Sequence, residues 1–191
     1  MNRRNFLTSV SAGGVSLFTG DLCAEKLEPF TLRYAPHFGM FKESAPGGLL
    51  DEIRFAYDQG FRAWEDNGMG RRSVEDQTAI GELMSQLGMS MGVGAAKTGI
   101  NSLNFASRDP EAHQLVLDQI ASTVEVAKRV NAGYMTLVSG QVDPRWPREV
   151  QFANCIDLLR RAVEIVEPHN ITLVMEPLNR FQNHPGSFLQ T

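Results

Sequence analysis

Short apolar stretches alternate with longer amphipathic stretches along most of the chain, at intervals of roughly 30 to 40 residues. The short stretches have the length and apolar content of buried strands, whereas the longer ones place their apolar residues on one helical face. This alternation predicts consecutive βα units around a parallel sheet. Five strands are predicted, at residues 30–35, 61–65, 89–95, 134–138 and 171–175.

Four helices are predicted between these strands, at residues 49–59, 74–87, 110–130 and 147–167. Ser73 is a predicted N-cap, and Asp109 is predicted to cap a helix whose first residue is Pro110. Gly60 follows the first helix, where glycine commonly ends a helix. A fifth helix is expected to begin at Pro185.

Parallel βα repeats occur both in doubly wound sheets and in TIM barrels, and the periodicity leaves both folds open. No phosphate-binding glycine motif follows the first predicted strand. The segment Gly92-Val93-Gly94 has two of the three glycines of such a motif, but no third glycine and no helix start follow it. This disfavours nucleotide binding.

Composition limits the class of protein. With 191 residues, 42% hydrophobic and 21% charged, the chain has the balance of a soluble globular domain. A net charge of −4 argues against a general nucleic-acid-binding surface, which is normally basic. It is compatible with a small-molecule substrate.

The amino terminus resembles a twin-arginine export signal. Arg3 and Arg4 precede Phe6-Leu7 and a mildly apolar stretch, residues 8–18, that is too short to span a bilayer. Residues 1–24 are therefore expected to be a signal peptide and residues 30–191 the folded part. The resemblance implies an exported, periplasmic protein without a membrane anchor after signal removal; the alternative is a disordered basic tail.

The cysteines offer no disulfide within the folded part. Cys23 belongs to the leader, which leaves Cys155 alone. Cys155 falls in an apolar helical pattern, so we expect a small buried hydrophobic side chain and not a nucleophile.

The strongest candidate for chemistry is Glu176, the residue that follows the last predicted strand. Parallel α/β proteins place catalytic groups and ligands at the carboxyl ends of their strands. Between Met175 and Pro177 the carboxylate is expected to be partly desolvated unless a cation compensates it. A divalent metal ion would do so, with Mg²⁺ or Mn²⁺ preferred and Co²⁺ or Zn²⁺ accepted. The structural alternative is an ion pair with a neighbouring arginine.

The segment Glu176-Pro-Leu-Asn179-Arg180, with His184-Pro-Gly nearby, resembles the metal-binding segment of hydroxypyruvate isomerases and related ketose 3-epimerases. These belong to the xylose-isomerase-like TIM barrel family. The resemblance implies a (β/α)8 TIM barrel, here incomplete, with about five βα units present, because a whole barrel takes about 250 residues. The chain is accordingly expected to be truncated after its fifth strand.

The resemblance also implies a reaction. Glu176 would ligate the metal ion and serve as one of two carboxylates that move a proton between carbons next to a carbonyl. The substrate would be a small sugar or a hydroxy-keto acid such as hydroxypyruvate. Gln182 stands where the epimerases have a glutamate, which favours the hydroxypyruvate-isomerase branch. Substrate contacts are expected from His37, Glu65, Asn179, Arg180 and His184, with Arg180 suited to a carboxylate.

Two further hypotheses about the function are considered in addition to the isomerase. The other ligands and the second catalytic carboxylate of the family lie on later strands, so the chain could be an inactive or partner-dependent barrel fragment. Unpaired edge strands would favour association, including a homo-oligomer. A DNA-repair nuclease of the same architecture is disfavoured by the acidic balance and by the absence of a basic groove.

Overall fold

The structure, a computed structural model, describes residues 28–92, 94–96, 98–99, 101–179 and 181–190. The predicted signal peptide, residues 1–24, lies outside the described residues. The helices of the described part are α1 (Leu49–Asp58), α2 (Val74–Gln86), α3 (Pro110–Val130) and α4 (Arg148–Val166). Its strands are β1 (Ala63–Trp64), β2 (Ser90–Met91), β3 (Gly94–Ala95), β4 (Tyr134–Val138) and β5 (Thr172–Glu176). Short 3₁₀ helices occupy Met69–Arg71 and Glu167–His169.

The strands pair in parallel, in a two-stranded sheet of β1 and β2 and a three-stranded sheet in the order β3, β4, β5. An isolated parallel bridge between Met91 of β2 and Ala132, just before β4, links the two sheets in chain order. A doubly wound sheet reverses its strand order at a switch point, and the described strands contain no such reversal. The sequential order is that of a TIM barrel, of which about five βα units are present.

The helix ends form where the sequence signals predict them. Ser73 Oγ accepts a hydrogen bond from Asp76 N at 3.0 Å and so caps α2. Asp109 Oδ1 accepts from Glu111 N at 3.0 Å and caps α3, which begins at Pro110. No helix of the described ranges combines the length and the apolar character that crossing a bilayer requires.

The apolar core lies between the sheet and its helices. Trp64, Met135 and Leu137 are fully buried strand residues. Because successive strand side chains point to opposite faces, Thr136 and Val138 lie on the other face of β4. Complete burial of a large apolar side chain stabilises the fold by about 1.5 to 3 kcal/mol. The helices contribute Ile53, Ile80, Met84, Ile120, Val124, Leu158 and Ala162 to this core.

The predicted first strand, residues 30–35, is wrong. Its alternating Phe30, Leu32 and Tyr34 are 45%, 62% and 53% exposed, because no strand of the described part of the chain pairs with them. Among the described residues, β pairing next to this segment consists of a parallel bridge between His37 and Glu65.

Two other boundaries differ from the prediction. The predicted third strand, residues 89–95, contributes two short strands, β2 and β3, which belong to the two different sheets. The helix expected from Pro185 is absent from the described residues up to 190. That segment instead pairs with the loop after β4, through an antiparallel bridge between Gln141 and Ser187.

Candidate active site

A cavity of about 350 Å³ opens at the carboxyl ends of β3, β4 and β5, and Glu176 lies on its wall. Glu176 is the last residue of β5 and is paired in register with Val138, the last residue of β4. The polar part of the wall comes from Glu176, Arg71, Asn67 and Thr136, whereas Ala95 and Val138 contribute apolar surface. The carboxylate predicted from the sequence therefore reaches a concave site of small-molecule size.

The environment of Glu176 differs in one respect from the prediction. Its side chain is exposed, so the expected partial desolvation is wrong. The reason is that β5 pairs only with β4 among the described strands, which leaves its other edge open. No described arginine or lysine forms an ion pair with Glu176, so the structural alternative is not realised within those residues.

His37 and Glu65 are brought together at the neighbouring strand ends. They form the parallel bridge of the first sheet position, where Glu65 N donates to Pro36 O at 3.0 Å, and both are half-buried. Glu65 forms no ion pair with Arg62, whose Nη1 donates to the carbonyls of Tyr57 and Phe61 at 2.8 and 2.7 Å. Neither His37 nor Glu65 lines the cavity of Glu176.

Two hydrogen bonds accepted by Asn179 hold the loop that follows β5. The Asn179 side-chain oxygen accepts from Phe181 N at 2.9 Å, and its carbonyl accepts from His184 N at 2.9 Å. Asn179 is exposed and His184 is half-buried, and neither is on the cavity wall. Arg180, the predicted carboxylate-binding residue, lies outside the described residues. The substrate roles of these three residues stay predictions.

Two residues of the cavity wall were not predicted from the sequence. Asn67 and Arg71 belong to the loop after β1 and to the 3₁₀ helix that ends it. The only sequence signal is their position just after a strand, where barrel proteins carry their functional loops. Exposed polar residues in a Gly-rich loop give no further indication of which cavity they reach.

Glu52 of α1 is a second residue without a sequence signal for its role. It is 5% exposed although it is charged, and its Oε2 accepts from Gly39 N at 2.8 Å and from Phe41 N at 3.1 Å. These bonds hold the loop that begins at His37. Glu52 thus positions the strand end at which His37 and Glu65 meet.

An ion pair stabilises the loop between β4 and α4. Arg145 donates to both carboxylate oxygens of buried Asp143, from Nε and Nη2 at 2.8 Å each. The hydrogen bonds from Arg145 hold the pKa of Asp143 below its ordinary range, and the same bonds raise the pKa of Arg145. Gln151 also accepts from Asp143 N at 2.9 Å. These groups support the loop and lie off the cavity wall.

Cys155 has the buried, apolar setting expected of it. It is 8% exposed, and burial raises the pKa of its thiol to about 11. At neutral pH it is therefore a protonated core side chain, which excludes a nucleophilic role.

Comparison with family models gives a match to the xylose isomerase-like TIM barrel over residues 53–191. The chain belongs to this family. A comparison with curated protein sequences found no match.

Solved structures show the same xylose isomerase-like fold. An AP endonuclease of family 2 from Brucella melitensis is similar with a TM-score of 0.63 and 22% identity, over 82% of this chain and 59% of that chain. The 3-keto-D-glucoside 4-epimerase from E. coli is similar with a TM-score of 0.59 and 17% identity, over 81% of this chain and 59% of that chain. The IOLI protein, whose structure holds a zinc atom, is similar with a TM-score of 0.58 and 15% identity, over 82% of this chain and 54% of that chain. The chain thus spans little more than half the length of each.

A divalent metal ion, as in that zinc-containing member of the xylose isomerase-like fold, requires several ligands. Catalytic zinc sites use three protein ligands. Within the described ranges, no group of three or more His, Cys, Asp or Glu side chains could hold a metal ion. On the cavity wall, Glu176 is the only carboxylate among the described residues. The described residues therefore do not complete such a site.

Proposed function

We propose that this protein is an isomerase that moves a proton between neighbouring carbons of a small sugar or of hydroxypyruvate. The observation that carries the proposal is the position of Glu176, at the carboxyl end of β5 on the wall of a 350 Å³ cavity. Family membership supports it, because members of this fold include the epimerase named above. The hydroxypyruvate-isomerase branch is the finer proposal, and it rests on the motif around Glu176.

Glu176 would act as a general base and then as an acid. Its carboxylate would remove a proton from the carbon next to the substrate carbonyl, and the bonding electrons would shift to give an enediolate. Return of a proton to the former carbonyl carbon completes the isomerisation, and a proton moves between the two substrate oxygens. The exposed position of Glu176 leaves its carboxylate open to a substrate in the cavity.

We further propose dependence on a divalent metal ion, Mg²⁺ or Mn²⁺ first, which when bound would stabilise negative charge on the substrate oxygens. Glu176 is the cavity carboxylate suited to ligate it. A complete set of ligands is not present among the described residues.

The experiment is proton exchange in D₂O. Hydroxypyruvate is incubated with the full chain and Mn²⁺, and ¹H NMR follows loss of the hydroxymethyl signal. Glu176→Gln keeps the shape of the side chain but removes the base, so the exchange rate should fall roughly 10²- to 10⁴-fold. Glu164→Gln, at an exposed glutamate of α4, is the matched control and should leave the rate unchanged.

The outcomes separate the levels of the proposal. Equal exchange by wild type and Glu176→Gln would remove Glu176 from the reaction. Exchange with a neutral ketose such as D-fructose but not with hydroxypyruvate would retain the isomerase and reject the hydroxypyruvate branch. Activity that survives EDTA would reject the metal dependence.

A partner-dependent fragment is a second candidate, favoured by the open edge of β5. Val174 is 39% exposed there, whereas Met135 and Leu137 of the neighbouring strand β4 are fully buried. If a second copy covers this edge, the exchange rate per chain should rise with protein concentration in step with the dimer fraction from light scattering. A rate per chain that is independent of concentration would reject the requirement for a second copy.

We also propose that residues 1–24 direct export by the twin-arginine route. Replacement of both Arg3 and Arg4 by lysine should retain the protein in the cytoplasm of a bacterial host, whereas wild type is recovered from the periplasm. Equal distribution of the two forms would instead favour a disordered basic tail.

A further inference from the structure

Arg71 lines the same cavity as Glu176 and forms no ion pair with a described carboxylate. It ends the 3₁₀ helix Met69–Arg71 and lines the 350 Å³ cavity. Asp66, which like Arg71 lies against Gly68, is engaged by Arg72, whose Nε donates to Asp66 Oδ2 at 2.5 Å. Among the described ion pairs none includes Arg71. Within the described ranges, the cavity wall therefore carries a guanidinium that is in no ion pair.

The guanidinium of Arg71 is seated against the backbone of Gly68. A Cβ added to Gly68 would lie 3.0 Å from Arg71 Nη2 and 2.9 Å from Asp66 Oδ1. Gly68 N also donates to Asp66 Oδ1 at 2.7 Å, which fixes the turn. The absence of a side chain at this position thus makes the room that Arg71 occupies. The position of the Arg71 guanidinium therefore depends on how the turn at Gly68 packs.

The positive charge on the wall is complementary to the carboxylate of a small acid. Arg71 supplies one positive charge and Glu176 one negative charge, and the rest of the described wall is neutral. A guanidinium presents a planar pair of donors that matches a carboxylate. A substrate whose carboxylate binds Arg71 has its other end free to approach Glu176, whereas a neutral sugar leaves Arg71 without a counter-charge.

We propose that Arg71 is the carboxylate-binding, specificity-determining residue of this cavity, which selects small hydroxy or oxo acids over neutral sugars. The inference rests on the proposed function for the orientation of the substrate, with its carboxylate at Arg71 and its reacting carbon at Glu176. The binding of the carboxylate itself requires no reaction.

The test compares two probes that differ only at one end, D-glycerate and glycerol. Isothermal titration of the full chain is performed in EDTA, so that chelation of a metal ion by glycerate makes no contribution. Wild type should bind glycerate and show no binding of glycerol. Arg71→Gln should bind glycerate roughly 10- to 100-fold more weakly, the range expected for loss of a charged hydrogen-bonding partner. Arg71→Lys keeps the charge but loses the planar pair of donors, so its affinity for glycerate should lie between those of wild type and Arg71→Gln.

Arg161→Gln provides the matched control, because Arg161 is an exposed arginine of α4 away from the cavity. It removes the same charge and should leave glycerate binding unchanged. Gly68→Ala is a second variant that keeps Arg71 but crowds its guanidinium, and it should also weaken glycerate binding. Thermal melts establish that each variant is folded.

Equal glycerate binding by wild type and Arg71→Gln, or equal binding of glycerol and glycerate, would overturn the inference. Failure of the proposed isomerase gives a different pattern, in which glycerate binds through Arg71 but Glu176 exchanges no proton. Proton exchange without Arg71-dependent glycerate binding would retain the isomerase and reject the role of Arg71.

Discussion

Thr98 and Val138 are joined by two hydrogen bonds that fasten the loop after β3 to the end of β4. Thr98 Oγ1 donates to the Val138 carbonyl at 3.0 Å and accepts from Val138 N at 3.3 Å. Val138 is in turn paired in register with Glu176. The hydroxyl of Thr98, which is 3% exposed, therefore stabilises the strand end beside the proposed catalytic carboxylate.

Replacement of this hydroxyl should cost stability. Thr98→Val preserves the shape of the side chain but leaves both backbone groups of Val138 without that partner, so the free energy of unfolding should fall by about 1 to 3 kcal/mol. Thr98→Ser keeps the hydroxyl and should lose less. Urea denaturation measures both variants, and a larger loss in Thr98→Ser than in Thr98→Val would mean that the methyl group matters more than the hydrogen bonds.

Gly140 should tolerate no side chain. Its φ of 70° lies in the left-handed region, and an added Cβ would overlap Asn104 Oδ1 and the Ser102 carbonyl. Gly140→Ala combines backbone strain with a steric overlap, for which we expect a loss of roughly 2 to 4 kcal/mol in unfolding free energy. Gly133→Ala is the control, since a Cβ there meets no atom within 4 Å. A similar stability of the two variants in chemical denaturation would contradict the crowding of Gly140.

The ion pair between Asp143 and Arg145 should give a pH-dependent contribution to stability. Because Arg145 lowers the pKa of Asp143 below its ordinary value of 3.8, the stabilisation is present above that value and is lost as the pH falls through the lower, folded-state pKa. Arg145→Gln should therefore melt at a lower temperature than wild type at neutral pH, and this difference should shrink in more acidic solution.

Thermal melts between about pH 3 and pH 7 measure this difference, with Arg161→Gln as the control for loss of an exposed positive charge. If the difference between wild type and Arg145→Gln stays constant across that range, the contribution of Arg145 is packing and not charge.

The sequence predicts best what is local. The caps at Ser73 and Asp109 form as predicted, because each depends on a hydrogen bond to a residue two or three positions away. Glu176 is likewise found at the end of its strand. The first strand fails because the alternation of Phe30, Leu32 and Tyr34 shows only that one face could be buried. Whether a neighbouring backbone lies alongside is a tertiary property.

The wall of the cavity is also a tertiary property. Arg71 and Glu176 are separated by most of the chain and meet because parallel strands bring their carboxyl ends to one edge of the sheet. Sequence position places both residues after a strand, but it does not distinguish Arg71 from Arg72. The difference is that Arg72 is paired with Asp66 and Arg71 is not paired with a described carboxylate.

Glu52 should control the mobility of the loop that carries His37. Its Oε2 accepts from Gly39 N and Phe41 N, and its charge is buried in α1. Glu52→Leu removes the acceptor and leaves both amides without that partner, so unfolding free energy should fall by about 1 to 3 kcal/mol. Hydrogen–deuterium exchange at these two amides should accelerate more than global unfolding requires.

Glu43→Gln is the control for the Glu52 variant, because the Glu43 side chain in the same loop is 90% exposed. It should change neither exchange nor stability. Unaltered exchange of Gly39 and Phe41 in Glu52→Leu would show that the loop is held by its apolar contacts instead. A faster exchange confined to this loop would identify Glu52 as the residue that fixes the strand end where His37 and Glu65 meet.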